Sequence, residues 1–154
     1  MNNLKRARTL RGVRNIDLAN EVGIAPTALV NYESGVRNPG PKLLPLLAGA
    51  LGVSQAWLRD MAPCLPVYCW ADQSTRQCPI VSELPIDNYG TLYVVDYPGL
   101  SFLPVIMASG LQFTPNDWQA SVIPRTAEEI ADIKWIDPNG DPAIMLDGLP
   151  RVLG

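Results

Sequence analysis

The stretch NIDLANEVGIAPTALVNYESG, Asn15 to Gly35, reads as two short amphipathic helices joined at a glycine corner. In the first, Leu18, Ala19 and Val22 recur at i, i+1 and i+4 and form one apolar stripe. Gly23 ends that helix, because glycine adopts a positive φ at no steric cost, and Ile24 plugs the corner. The second helix opens on Pro26, whose fixed φ suits a first helical position and whose missing N–H is not needed there. It buries Leu29 and Tyr32, three residues apart, and stops at Ser34-Gly35. Thr27, Ala28, Val30 and Asn31 are then left facing outward.

The flanks extend the pattern. Leu4, Ala7 and Leu10 stand at helical spacing ahead of it, and LPLLAGALGVS, Leu44 to Ser54, follows it. Proline inside a helix costs about 3 kcal/mol, so Pro45 is expected to open the fourth helix. Gly52 ends that helix, and Ser54 caps a last turn that carries Trp57 and Leu58. With these flanks, residues 1–60 resemble a Cro/C1-type (lambdoid phage repressor-like) helix-turn-helix domain of five short helices.

That resemblance implies a double-stranded DNA partner, with the helix opened by Pro26 lying in the major groove. Base contacts then fall on Pro26, Thr27, Ala28, Val30 and Asn31. Asn pairs bidentately with adenine, Thr bonds either way, and small apolar groups suit thymine methyls. Arg14, Asn15, Arg37, Asn38 and Lys42 match positions that grip phosphates, which sets register and affinity but not sequence choice. Arg8 and Glu33 match a buried structural ion pair. Ala25 departs from the usual Ser or Thr helix cap, a loss of about 1 kcal/mol that Pro26 partly offsets.

Charge divides the chain. Residues 1–60 carry eight basic side chains against four acidic ones, whereas the remaining residues carry four against eleven, within an overall net charge of −3. A polyanion partner therefore fits the first part only, since cations gain by neutralising phosphates and an acidic domain is repelled. At 154 residues and 47% hydrophobic content, two small cores are affordable in one chain. No apolar run approaches the roughly 18 residues of a membrane span, and the N-terminus lacks a signal-peptide apolar block, so a cytoplasmic protein with no membrane partner is expected. Three cysteines, Cys64, Cys69 and Cys78, and no histidine support neither a disulfide framework nor a common zinc site; no metal and no cofactor are expected.

Met61 to Pro66 read as a short proline-bearing hinge, after which the pattern becomes strand-like. Candidate strands are 67–70, 91–97, 102–107 and 118–123, rich in β-branched and aromatic residues and bounded by turn formers. Thr126 to Glu129 has capping-box form and starts a short helix, although Ile130, Ile133 and Trp135 read equally as a strand continuing to Ile136. Asp137-Pro138-Asn139-Gly140 is a turn, and Ala143 to Leu146 the returning strand.

This second part resembles, more weakly, the LexA/phage-repressor Ser-Lys peptidase domain in degenerate form. Leu65 to Trp70 is similar to its opening strand, Tyr93 to Pro104 to the strand and turn that present the nucleophile, and Asp132 to Ile136 to the strand bearing the lysine. The resemblance implies Ser101 as nucleophile and Lys134 as its base, a lysine that acts so when desolvated among apolar neighbours. Leu100 and Phe102 depart from the family's residues around the serine, and the Ala-Gly scissile bond is missing.

The sequence thus predicts a multi-domain α + β chain: an N-terminal five-helix helix-turn-helix domain (1–60), a short hinge (61–66) and a C-terminal mainly-β dimerisation or regulatory domain (67–154). The function implied is a sequence-specific transcriptional repressor of phage or prophage type that binds a near-palindromic operator as a homodimer or higher homo-oligomer. A LexA-type autoproteolytic switch, a small-molecule-sensing regulator and an antitoxin-like interaction module remain open beside it.

Overall fold

The computed structural model describes residues 3–69, 73–86, 90–97, 102–108, 110–116, 127–146 and 149–152. The chain divides into two units, Met1–Ala62 and Pro63–Gly154. The first is all helix: α1 (Asn3–Leu10), α2 (Asn15–Val22), α3 (Pro26–Ser34), α4 (Leu43–Leu51) and α5 (Gln55–Leu58). Its core is built from helical stripes: Leu4 and Ala7, Leu18 and Ala19, Leu29, Leu44 with Leu47 and Leu51, and finally Trp57 and Leu58. Leu10, Val22 and Tyr32, expected inside, are half-buried. Leu10 and Val22 are the terminal residues of α1 and α2, where less of the neighbouring helices covers them.

Helix ends follow the residues that permit them. Gly23 adopts φ +78°, and the Ile24 N–H reaches back to the Ala19 carbonyl at 2.9 Å, closing α2. Pro45 occupies the third position of α4 and is exposed. Its missing N–H is among those that no helical carbonyl reaches, so the expected cost is avoided. The Ser54 hydroxyl accepts from the Trp57 N–H at 3.0 Å and caps α5.

The second unit contains an antiparallel sheet in the order β1-β2-β3-β4-β5-β6, comprising Cys64–Cys69, Ser74–Pro85, Gly90–Asp96, Phe102–Ala108, Leu111–Pro115 and Trp135–Ile136. A separate hairpin joins β7 (Ala143–Leu146) to β8 (Leu149–Val152), and α6 (Ala127–Asp132) precedes β6. β7, expected to return along the strand that ends at Ile136, pairs with β8 instead, and among the described residues the turn is followed only by an Ile136–Pro142 bridge. β1 begins at Cys64, inside the stretch read as hinge. Residues 118–123, read as a strand, lie outside the described residues, as does Thr126. The helix reading of the segment after Thr126 holds to Asp132, Ile130 included; of the strand reading only Trp135–Ile136 is extended.

β2 is the long element that alternation did not reveal. Its first half pairs with β1 and its second with β3, with a register shift between Ile80 and Ser82. Such a bulge bends the strand and places the successive residues Ile80 and Val81 inside. β4 is buried on both faces: Leu103 and Val105 join Val67, Cys78, Val95 and Tyr97, while Ile106 and Ala108 join Leu92, Phe113, Ile130 and Trp135. Pro104 has no ladder donor, and it lies where β5, whose pairing with β4 covers only Ile106 to Ala108, no longer pairs. After β6, the Asp137 carboxylate accepts from the Asn139 and Asp141 N–H groups at 3.0 and 2.7 Å and shapes the turn expected there.

The Gln112 side chain on β5 returns to the outer edge of β1. Its Oε1 accepts from the Tyr68 N–H at 2.8 Å and its Nε2 donates to the Pro66 carbonyl at 2.9 Å. One carboxamide thus does the work of a facing peptide. Gln112→Ala is expected to destabilise this unit by about 0.5–1.5 kcal/mol, mainly through the part-buried Tyr68 N–H, since water reaches the exposed Pro66 carbonyl. Hydrogen exchange at the Tyr68 amide checks it: exchange accelerates in the variant, and unchanged protection would refute the role.

Candidate nucleic-acid interface

α3 is held from below and presented above. Leu29 is fully buried, and Glu33 is 8% exposed and engaged by Arg8, itself 16% exposed. Arg8 Nε donates to Glu33 Oε1, Nη2 to Oε2 at 3.3 Å, and Nη1 to the Val13 carbonyl at 3.0 Å. This fork ties α1, the α1–α2 turn and the end of α3 together. The N-terminus of α3 carries no side-chain cap: Ala25 has φ −71° and ψ 144°, and Pro26 follows at the first helical position.

Pro26, Thr27 and Val30 are exposed, Val30 by 52%, and form the outer surface of the helix. Ala28 and Asn31, expected to face fully outward, are half-buried. Asn31 is held on its backbone side, where its carbonyl accepts from the Ser34 hydroxyl and the Arg37 N–H, each at 3.2 Å. Arg37 and Asn38 lie exposed in the loop after α3, and Lys42 is exposed at the N-cap of α4.

At the start of α2, Arg14 is the N-cap residue and its guanidinium donates to both Asp17 carboxylate oxygens, at 2.9 and 3.2 Å. The hydrogen bond from Arg14 lowers the Asp17 pKa, and the same bond raises that of Arg14. Arg14, expected at a phosphate, is paired with Asp17 instead, a partner that i,i+3 spacing at a helix start signals. Asn15 is half-buried, and its Nδ2 is a buried donor with no acceptor. Three further cations are occupied within the unit: Arg8 by Glu33, Arg11 by the Leu51 carbonyl at 3.0 Å, and Arg6 over the Trp57 ring at 5.8 Å.

The two residues of the suggested dyad are not brought together by anything described. Ser101 lies outside the described residues. Lys134 follows α6, ahead of the strand expected to carry it, and is exposed to water rather than sheathed by apolar neighbours as a desolvated base has to be. Of the cysteines, Cys64 is exposed while Cys69 and Cys78 are buried and free; burial, and then the nearby Cys64 and Asp96, push the Cys78 thiol up to about 11. No described helix is long and apolar enough to cross a membrane.

No curated protein and no solved structure matches the chain. The family model described as Helix-turn-helix matches residues 4–58, which span α1 to α5. That match, with a glycine-cornered α2–α3 pair and an outward-facing α3, supports a DNA-binding helix-turn-helix over residues 4–58.

Proposed function

We propose that the chain is a sequence-specific DNA-binding transcriptional repressor of phage or prophage type, acting on a near-palindromic operator as a homodimer through its second unit. The observation that carries this reading is the exposed surface of α3, Pro26, Thr27 and Val30, on a helix fixed by Leu29 and the Arg8–Glu33 fork. An exposed apolar residue on a helix that has already buried its core face suits contact with thymine methyls, and Thr27 supplies a hydroxyl beside it. Asn31, half-buried at the edge of that surface, adds a carboxamide of the kind that reads adenine.

Arg37, Asn38 and Lys42 flank the reading surface and are exposed. The unmet Asn15 donor at the α2 N-terminus is the kind of group that a phosphate oxygen satisfies, in the field of a helix dipole that favours anions. Arg14 contributes only in exchange for its bond to Asp17. Two-fold pairing of protomers places two copies of α3 one helical turn of DNA apart.

Selection of bound duplexes from random DNA tests the reading, the expected result being a symmetric consensus. Arg37→Ala and Lys42→Ala are then expected to weaken all sequences alike, whereas Thr27→Ala and Asn31→Ala cost about 1–3 kcal/mol on the selected site and little elsewhere. Equal losses on selected and random DNA for all four variants would defeat the assignment of α3 as the reading helix.

A further inference from the structure

α2, α4 and α5 close in the same way: a residue in the left-handed region, then one whose N–H reaches back to a carbonyl five residues earlier. The closing bonds are Ile24 to Ala19 at 2.9 Å, Val53 to Ala48 at 3.0 Å and Met61 to Ala56 at 2.8 Å. Gly23 and Gly52 take the left-handed place in the first two, with φ +78° and +68°, and Asp60 takes it in the third with φ 60°. Gly35, which follows α3, is left-handed as well. Among the described residues of this unit Asp60 is the one non-glycine with positive φ. Asp60 thus carries a side chain at a place that glycine fills at the other helix ends, and its carboxylate makes no hydrogen bond or ion pair among the described residues. Strain held without a local use points to a use elsewhere.

Asp60 lines a groove of about 340 Å³ within the helical unit. Its floor is Leu4, Leu44, Leu47 and Leu58, all buried, and its rim carries Asp60 and Arg59. Arg59 is exposed and, like Asp60, has no side-chain partner among the described residues. The size lies at the small end of ligand clefts, and an apolar lining with a few converging polar groups is their usual make-up. Adjacent opposite charges over an apolar floor select a ligand that carries both charges. A simple fatty carboxylate meets repulsion from Asp60, and a simple amine meets it from Arg59.

We propose that this groove binds a small apolar α-amino acid. Its side chain lies on the leucine floor, its ammonium group against Asp60 and its carboxylate against Arg59. The Tyr32 ring of α3 and Asn38 of the following loop also line the groove, so an occupant touches the elements that present the reading surface. Binding in this groove is independent of DNA.

Calorimetric titration of the full chain with L-leucine and L-phenylalanine is the test, with 4-methylpentanoate and 3-methylbutylamine as partners that lack one charge. Saturable one-to-one binding of at least one amino acid is expected, with both single-charge compounds at least tenfold weaker. Asp60→Gly is expected to raise the thermal midpoint of the helical unit, as relief of a left-handed residue does, and to weaken amino-acid binding at least tenfold. Asp60→Asn, which tolerates the same backbone, loses binding equally. Failure of both amino acids to saturate, single-charge compounds binding as tightly, or unaltered binding in Asp60→Gly would each overturn the proposal.

Discussion

Glu33→Ala lowers the stability of the helical unit by about 3 kcal/mol, more than any substitution of an exposed acid in residues 1–60. The loss comes less from the attraction removed than from what is left behind. Arg8 is 16% exposed and its fork is aimed at Glu33, so without the carboxylate a guanidinium stays in a site that water barely reaches. Its remaining bond to the Val13 carbonyl satisfies one donor only. The double variant Arg8→Leu/Glu33→Leu recovers part of the loss, because no charge is stranded. Urea denaturation of the single and double variants measures both. A single-variant midpoint within error of the parent would mean that the pair is hydrated in solution.

Trp135→Ala costs the second unit about 3–5 kcal/mol, the range for deleting a buried tryptophan. Trp135 is 1% exposed, packs with Leu92, Ile106, Phe113 and Ile130, and donates its indole N–H to the Ile130 carbonyl at 3.0 Å. The ring therefore joins α6 to the sheet and fills the space between β3, β4 and β5. Trp135→Phe separates the two contributions: most of the apolar contact is retained, the hydrogen bond is lost, and a cost of about 1–2 kcal/mol is expected. Loss of protection at β4 and β5 amides in hydrogen exchange reports the effect, and a Trp135→Ala variant with parental protection would remove this residue from the core.

The helical unit was legible because its signals are local. Glycine at 23, 35 and 52, proline at 26 and serine at 54 act through the backbone of their own neighbourhood, and each meets the role that spacing assigns it. Partners distant in sequence were less accessible. The Arg8–Glu33 pair was reached by resemblance alone, and the ties of Arg6 and Arg11 to Trp57 and Leu51 were not anticipated, so the positive balance was read as more available to phosphate than it is.

The sheet shows the same limit. β1, β3 and β4 announced themselves by β-branched and aromatic runs and β7 by the turn before it, but β2 is bulged between Ile80 and Ser82, which breaks the alternation that marks a strand. β5, LQFTP, is too short and mixed to stand out, and it takes its place through its register with Ile106, Met107 and Ala108. Gln112 looks like an ordinary polar strand residue until β1 is placed beside it.

The carboxamide of Gln112 also bears on how copies of the chain can meet. An uncovered outermost strand is a template on which foreign strands add without limit, and the groups most open to such addition are unpaired N–H and C=O. On β1 the Tyr68 N–H and the Pro66 carbonyl are already taken, so a strand annealing there meets an edge with two of its groups occupied. A dimer of the kind proposed above would gain two fewer backbone bonds along this edge, which favours other surfaces over strand addition.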